Sequence, residues 1–219
     1  MNTSPNNSTP APVALSVILD RSGSMMSIAD DIVDGFNALL ANQRTQPGEV
    51  YVTLAQFDSQ DPFELLIDAV PLREVTNMER SWYQPRGATP LYDAIGRMLS
   101  HIDASHLGTK DDVDHVVAII TDGQENDSRE FDRKQAFDLI KQRSDDGWVF
   151  IYLGSEPQSY ADADRISVSA ANARTWDKSS YGTRDMMDKV SSSLTSHRSK
   201  TRDERRRDKD DFYGDGGDK

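Results

Sequence analysis

Residues 13–25 read VALSVILDRSGSM, an aliphatic run that stops at an acidic side chain and a polar turn containing glycine. Only Ser16 interrupts the run before Asp20, so it shows no polar alternation and no solvent face. That pattern suits a strand covered on both sides in a parallel sheet. Two later runs share the character: Val113–Asp122 (VDHVVAIITD) and Trp148–Gly154 (WVFIYLG). Val50–Phe57 and Phe63–Val70 are separated by Asp58-Ser59-Gln60-Asp61-Pro62, a five-residue turn-forming stretch. It predicts a hairpin, and hence one antiparallel strand near an edge.

Helical periodicity fills the intervals. Ile28, Ile32, Phe36, Leu39 and Leu40 share one face, with Ser27 available as N-cap. Leu91, Ile95, Met98, Leu99 and Ile102 do the same behind Pro90, which is tolerated in a first turn. Phe131, Ala136, Leu139 and Ile140 mark a third helix, and Lys178–Leu194 a fourth with Met186, Met187, Val190 and Leu194 inward. Strand, helix, hairpin, helix, strand, helix, strand reads as an α/β fold. The expectation is a doubly wound, mostly parallel central sheet with one antiparallel edge strand and helices on both faces.

No second core or internal repeat is visible, so residues 13–196 are expected to form one domain. Residues 1–12 (MNTSPNNSTPAP) are polar and proline-broken, the composition of a disordered leader. Residues 197–219 hold eight basic and seven acidic side chains, with only Phe212 and Tyr213 as large apolar groups, and read as a disordered charged tail. The body then carries the negative charge, −13 against −12 for all 219 residues.

A net charge of −12 argues against a nucleic-acid groove and against attachment to anionic lipid. The absence of cysteine rules out disulfides, thiolate metal sites and a cysteine nucleophile. Neither a basic-then-apolar leader nor an apolar run of about 18 residues is present, so no secretory signal and no membrane helix are expected. Together these suggest a cytoplasmic protein.

In open α/β sheets, ligands bind beyond the carboxyl ends of the strands. The first strand ends in Asp20-Arg21-Ser22-Gly23-Ser24, the Val113–Asp122 run in Thr121-Asp122-Gly123, and Gly87-Ala88-Thr89-Pro90 precedes a helix. The topology brings these segments to one rim, where Asp20, Ser22, Ser24, Thr89 and Asp122 offer two carboxylates and three hydroxyls. An all-oxygen set of this kind suits a hard cation, Mg²⁺ first, with Mn²⁺ or Ca²⁺ as substitutes. Each fragment alone is ordinary: a polar turn, a helix start, a strand-end Asp-Gly. Their joint occurrence at the right boundaries is what makes the site specific.

Asp20-x-Ser22-x-Ser24, Thr89 and Asp122-Gly123 resemble the metal-ion-dependent adhesion site of von Willebrand factor type A (vWA) domains. GATPLYDAIG around the threonine and VVAIITDGQEN around the second aspartate resemble the family too, over about residues 13 to 196. The resemblance implies a Rossmann-like sheet with a divalent cation at its top. Ser22, Ser24 and Thr89 would contact the metal directly or nearly so, and Asp20 and Asp122 directly or through water. One coordination position would stay open for an Asp or Glu of a partner protein. Family precedents include coupling to an AAA+ ATPase, and a bacterial or phage origin (host cytoplasm in the latter case) is compatible with the resemblance.

Met25, Arg86, Gln124 and Glu125 are candidates for a partner-binding rim; a solvated loop is the plainer reading for at least two of Gln124, Glu125 and Asn126. Asp58 is a hairpin-turn residue or an acceptor behind the site. Trp82, Tyr83 and Arg86 are candidates for a contact surface beside the metal, with buried packing an equal alternative for Trp82, and Trp148 is core. Enzyme chemistry is not expected: no histidine falls in a rim loop, no phosphate loop follows the first strand, and neither serine sits in a nucleophile elbow. The function expected is metal-dependent protein binding without turnover. The alternatives are a metal-independent structural or virion-assembly scaffold and, behind that, a Mg²⁺-dependent hydrolase.

Overall fold

A computed structural model describes residues 10–155 and 159–214. Six strands, β1 (Val13–Asp20), β2 (Val50–Phe57), β3 (Glu64–Pro71), β4 (Asp114–Thr121), β5 (Val149–Gly154) and β6 (Ala173–Thr175), form one sheet in the order β3-β2-β1-β4-β5-β6. All neighbours are parallel except β2 and β3, whose hairpin puts an antiparallel strand at one edge. Val13 pairs with both Val50 and Asp114, so β1 is flanked on either side and the strand order reverses across it.

The unbroken apolar runs are explained by two cores. On one face Val13, Leu15, Val17 and Leu19 meet Ile32, Phe36 and Leu40 of α1 (Ala29–Arg44) and Met186, Met187, Val190 and Leu194 of α5 (Ser180–Ser199). On the other, Ile18, Val117, Ile119 and Phe150 lie under Leu91, Ile95, Met98 and Leu99 of α2 (Leu91–Ala104) and Ala136 and Ile140 of α3 (Arg133–Asp145). Every residue of β1 is buried, because helices cover both faces of the sheet.

Several expectations need correction. Ser27 caps nothing: Gly23–Ile28 forms a 3₁₀ turn that leads into α1, and Ile28 occupies the N-cap position without a side-chain bond. α4 (Ser159–Arg165) and β6 are too short, and β6 too polar, to have shown in the periodicity.

The larger correction is the tail. α5 continues to Ser199 and is followed by α6 (Arg202–Arg207), which begins with a capping box between Thr201 and Glu204. Phe212 is buried, and its amide donates to Asn172 Oδ1 at 2.7 Å. Arg198 is also buried and donates to the carbonyls of Gln43, Gln46, Pro47 and Gly48, satisfying acceptors at and beyond the end of α1. Arg205 binds Asp114 and the carbonyl of Ala11. Charge counting treats arginines as solvated; here they are buried against backbone oxygens. Of the leader only residues 10–12 are described, and there the Pro12 carbonyl accepts from Asp114 N at 2.9 Å; residues 1–9 and 215–219 lie outside the described residues.

Arg198→Ala should therefore lower stability by about 2 kcal/mol, since the buried Gln43 carbonyl and three part-buried ones lose their donor. Urea unfolding would measure this, and an effect under about 0.5 kcal/mol, the range of an ordinary surface change, would show the tail to be dispensable.

Candidate metal centre

Asp20 is the last residue of β1 and its side chain is fully buried. Ser22 N donates to Asp20 Oδ1 and Thr121 Oγ1 to Oδ2, each at 2.6 Å. Burial pushes the Asp20 carboxyl up to about 6, against the pull of those hydrogen bonds and with a smaller push from the charge of Asp122. Ser22 Oγ and Ser24 Oγ are 3.1 Å apart, and Ser24 Oγ donates to Asp122 Oδ1 at 2.6 Å. Asp122 follows β4 directly, and its side chain is fully buried.

Thr89 enters from the loop before α2. Its amide donates to Asn126 Oδ1 at 2.8 Å, and Asn126 N donates back to its carbonyl at 3.1 Å. A Cβ placed on Gly123 would sit 3.7 Å from Thr89 Oγ1, so the hydroxyl lies against the Asp122-Gly123 turn. Two backbone bonds fasten this loop to the serine loop: Gly23 N to Gly87 O at 3.1 Å, and Arg86 N to Arg21 O at 2.8 Å. Gly87 itself has φ +67°, a conformation that favours glycine, and a Cβ there would fall 2.4 Å from Ser59 Oγ and push that hydroxyl aside.

All five sequence-predicted positions thus converge at the carboxyl ends of β1 and β4, where the strand order reverses. Searches of protein-family models and of curated proteins find no match to this chain. Solved structures do match. The pilus adhesin SpaC from Lactobacillus rhamnosus GG, in its open conformation, superposes with a TM-score of 0.63 at 13% identity, over 87% of this chain and 30% of that one. Proximal thread matrix protein 1 from the mussel byssus, solved with a zinc-occupied MIDAS motif, gives 0.57 at 15% identity, over 83% and 48%. A von Willebrand factor type A protein from Catenulispora acidiphila gives 0.56 at 14% identity, over 85% and 43%. The fold is that of a vWA domain. This chain spans about a third to a half of the length of those three proteins.

On the vWA sheet the donor set fits a hard cation by its chemistry. It is all oxygen, and the buried Asp122 already faces a positive charge: Lys178 Nζ lies 2.5 Å from Oδ2. Among the described residues no group of three or more His, Cys, Asp or Glu side chains gathers anywhere; at this site two carboxylates meet three hydroxyls.

The rim differs from the expectation. Met25 is fully buried; its neighbour Met26 is the exposed one, at 54%. Both lie in the 3₁₀ turn Gly23–Ile28, whose buried residues are Met25 and Ile28. Glu125 does not face outward as a recognition residue: it accepts from Tyr92 N, Asp127 N and Ser128 N and ties the rim to the start of α2. Arg86 is half-exposed and pairs with Asp58 at 2.9 Å, while Gln124 is exposed.

Asp58 is a turn residue and an acceptor at once. It takes the Gln60 and Asp61 amides and the guanidiniums of Arg21 and Arg86. Burial alone would raise its pKa, but these donors outweigh burial and hold it below the usual value. Tyr83 is not contact surface but fully buried core, and its hydroxyl donates to the Asp20 carbonyl. Trp82 and Trp148 are half-buried at the edges of the two cores. Thr121 and Lys178 are not singled out by the sequence, and Asn126 reads there only as a rim or solvated-loop residue, not as the partner of the threonine loop. Thr121 and Asn126 adjoin the motif and could have been suspected as hydrogen-bond partners, but Lys178 carries no local signal at all.

Proposed function

We propose that this chain is a divalent-cation-dependent protein-binding module that does not turn over a substrate. The observation that carries the reading is the convergence of two buried carboxylates and three hydroxyls at the point where the strand order reverses. Asp20, Ser22, Ser24, Thr89 and Asp122 would hold the ion, Mg²⁺ being the first choice for an all-oxygen set with so many neutral ligands. When bound, the ion supplies a Lewis-acidic coordination position for an Asp or Glu of a partner protein. The chain's own residues do the rest. Thr121 and Ser22 N orient the Asp20 carboxylate, Asn126 fixes the threonine loop, and Gln124 and the exposed Met26 flank the opening.

Support for binding without turnover comes from the histidines. His115 lies near the amino end of β4, His197 near the end of α5, His106 meets Tyr51 near the start of β2, and His101 pairs with Asp68 of the edge strand, all away from the serine loop. An intracellular setting, with an AAA+ ATPase as one partner class, goes with this reading, and a cysteine-free chain supports it. No helix among the described residues is long and apolar enough to cross a membrane.

The pairing of Lys178 with Asp122 favours a second reading, in which the ammonium serves permanently in a metal's place and the domain is a scaffold. Calorimetric titration of the protein with Mg²⁺ and Mn²⁺ separates the two. One-site saturable binding, with retention of partner in Mg²⁺ and its loss in EDTA, is expected; no heat at millimolar metal and indifference to chelator would leave the scaffold.

A further inference from the structure

Lys178 lies between β6 and α5, far from the motif in sequence, yet its ammonium reaches two parts of the site. It stands 2.5 Å from Asp122 Oδ2 and donates to the carbonyl of Ser24 at 3.1 Å. The other oxygen of Asp122 accepts from Ser24 Oγ, whereas Oδ2, buried and in ion-pair contact with the ammonium, has no hydrogen-bond partner. Ligand oxygens lie about 2.0–2.6 Å from a Mg²⁺ or Ca²⁺ ion. An ammonium at its present distance and a divalent ion on the same carboxylate would be like charges a few ångströms apart, in a partly desolvated place where repulsion is poorly screened.

We propose that Lys178 is a tethered competitor for the site: its ammonium and the divalent cation occupy Asp122 alternately. The inference rests on the metal-site reading above and deepens it by naming what the metal must displace. In the metal-free protein Lys178 neutralises a buried carboxylate that would otherwise be costly to leave unpaired. On metal binding the ammonium moves aside but stays beside the open coordination position. There it forms a positive rim that an acidic partner residue meets, on a protein whose net charge of −12 otherwise repels such a partner.

The test uses the full chain in three forms: wild type, Lys178→Met, and Lys189→Met as a charge-matched control. Lys189 is exposed and pairs with Asp185 within α5. Lys178 is one-third exposed, so its replacement leaves the cores untouched. By titration calorimetry, Lys178→Met is expected to bind Mn²⁺ about tenfold tighter or more than wild type, the scale of relieving one partly buried ion pair, and Lys189→Met within about twofold. As a second readout, acetylation of wild-type Lys178 by a hydroxysuccinimide ester, followed by mass spectrometry with Lys189 as reference, should rise several-fold on adding Mn²⁺. Wild-type binding with no gain in Lys178→Met, or with unchanged acetylation, overturns the competitor and leaves the metal site standing. Absence of Mn²⁺ binding in every form overturns both.

Discussion

At pH 7.5, Asp20→Asn should make the metal-free protein more stable while abolishing its binding of divalent cations. The carboxyl of Asp20 is raised from 3.8 to about 6 because it is buried. The sign follows from linkage: a carboxyl whose folded pKa lies above its unfolded one destabilises the fold wherever both states are ionised, here above about pH 6, and the cost disappears below about pH 4. A shift of this size corresponds to about 3 kcal/mol at neutral pH, of which about 1–3 kcal/mol should be recovered by a neutral isostere. Asparagine can keep the geometry. Its carbonyl can still accept from Ser22 N, while Thr121 Oγ1, which now donates to Asp20, can turn its proton to the Gly123 carbonyl 3.0 Å away and accept from the new amide. A site of only two carboxylates that loses one charge should lose at least about 100-fold in metal affinity, more than the 10–100-fold of an outer-shell change. Urea unfolding at pH 7.5 and pH 4, paired with Mn²⁺ titration, checks both halves. A variant less stable at pH 7.5, or one that binds Mn²⁺ within about tenfold of wild type, would show that Asp20 is held for packing and not for a cation.

The same trade-off explains which parts of the molecule could be read from its sequence. β1, β2, α2 and the β2–β3 hairpin declared themselves through local patterns: aliphatic runs, a 3.6-residue stripe, a five-residue turn. So did the five site positions, because each ends a strand or precedes a helix, and strand ends in such a sheet share one rim. What stayed hidden depends on contacts with no local signature. The Asp122 partner Lys178 comes from the far side of the sheet order, on the strand-to-helix loop after β6. Met25 and Met26 differ by one residue in a 3₁₀ turn, and only the turn decides which is buried. Arg198 and Arg205 read as solvated charge in the sequence; they are buried against the backbone carbonyls of Ala11, Gln43, Gln46, Pro47 and Gly48, which no composition rule reports. Glu125 was misread for a related reason: an acidic residue in a rim loop looks like a recognition group until the amides it satisfies are known.

A second large effect is expected on acidification: the metal-free protein should lose about 3 kcal/mol between pH 7.5 and pH 4.5, and two histidines should account for it. His115 is 5% exposed and stacked on Trp148, with ring centroids 3.9 Å apart; burial, only partly countered by neighbouring Asp114, lowers it to about 4. His197 is 4% exposed against the Phe212 ring, and burial, reinforced by the charge of Arg205, lowers it to about 4 as well. Each also has one buried ring nitrogen without a hydrogen-bond partner, Nδ1 in His115 and Nε2 in His197, so protonation would bury an N–H with no acceptor. A histidine depressed in the folded state contributes its full stability above about pH 6.5 and loses it as the pH falls toward 4, about 2.5 kcal/mol each by pH 4.5. Asp20 works in the opposite direction over the same range and returns about 2 kcal/mol, which leaves the net loss given above. Two variants separate the contributions. His115→Gln should flatten the acid loss to under about 1 kcal/mol, whereas Asp20→Asn, stripped of its compensation, should steepen it to about 5 kcal/mol. Urea midpoints at half-unit pH steps would show the two curves diverging on either side of wild type. Curves that instead run parallel for all three proteins would mean that neither the histidines nor Asp20 change protonation on unfolding, and that acid acts on this domain through its exposed carboxylates alone.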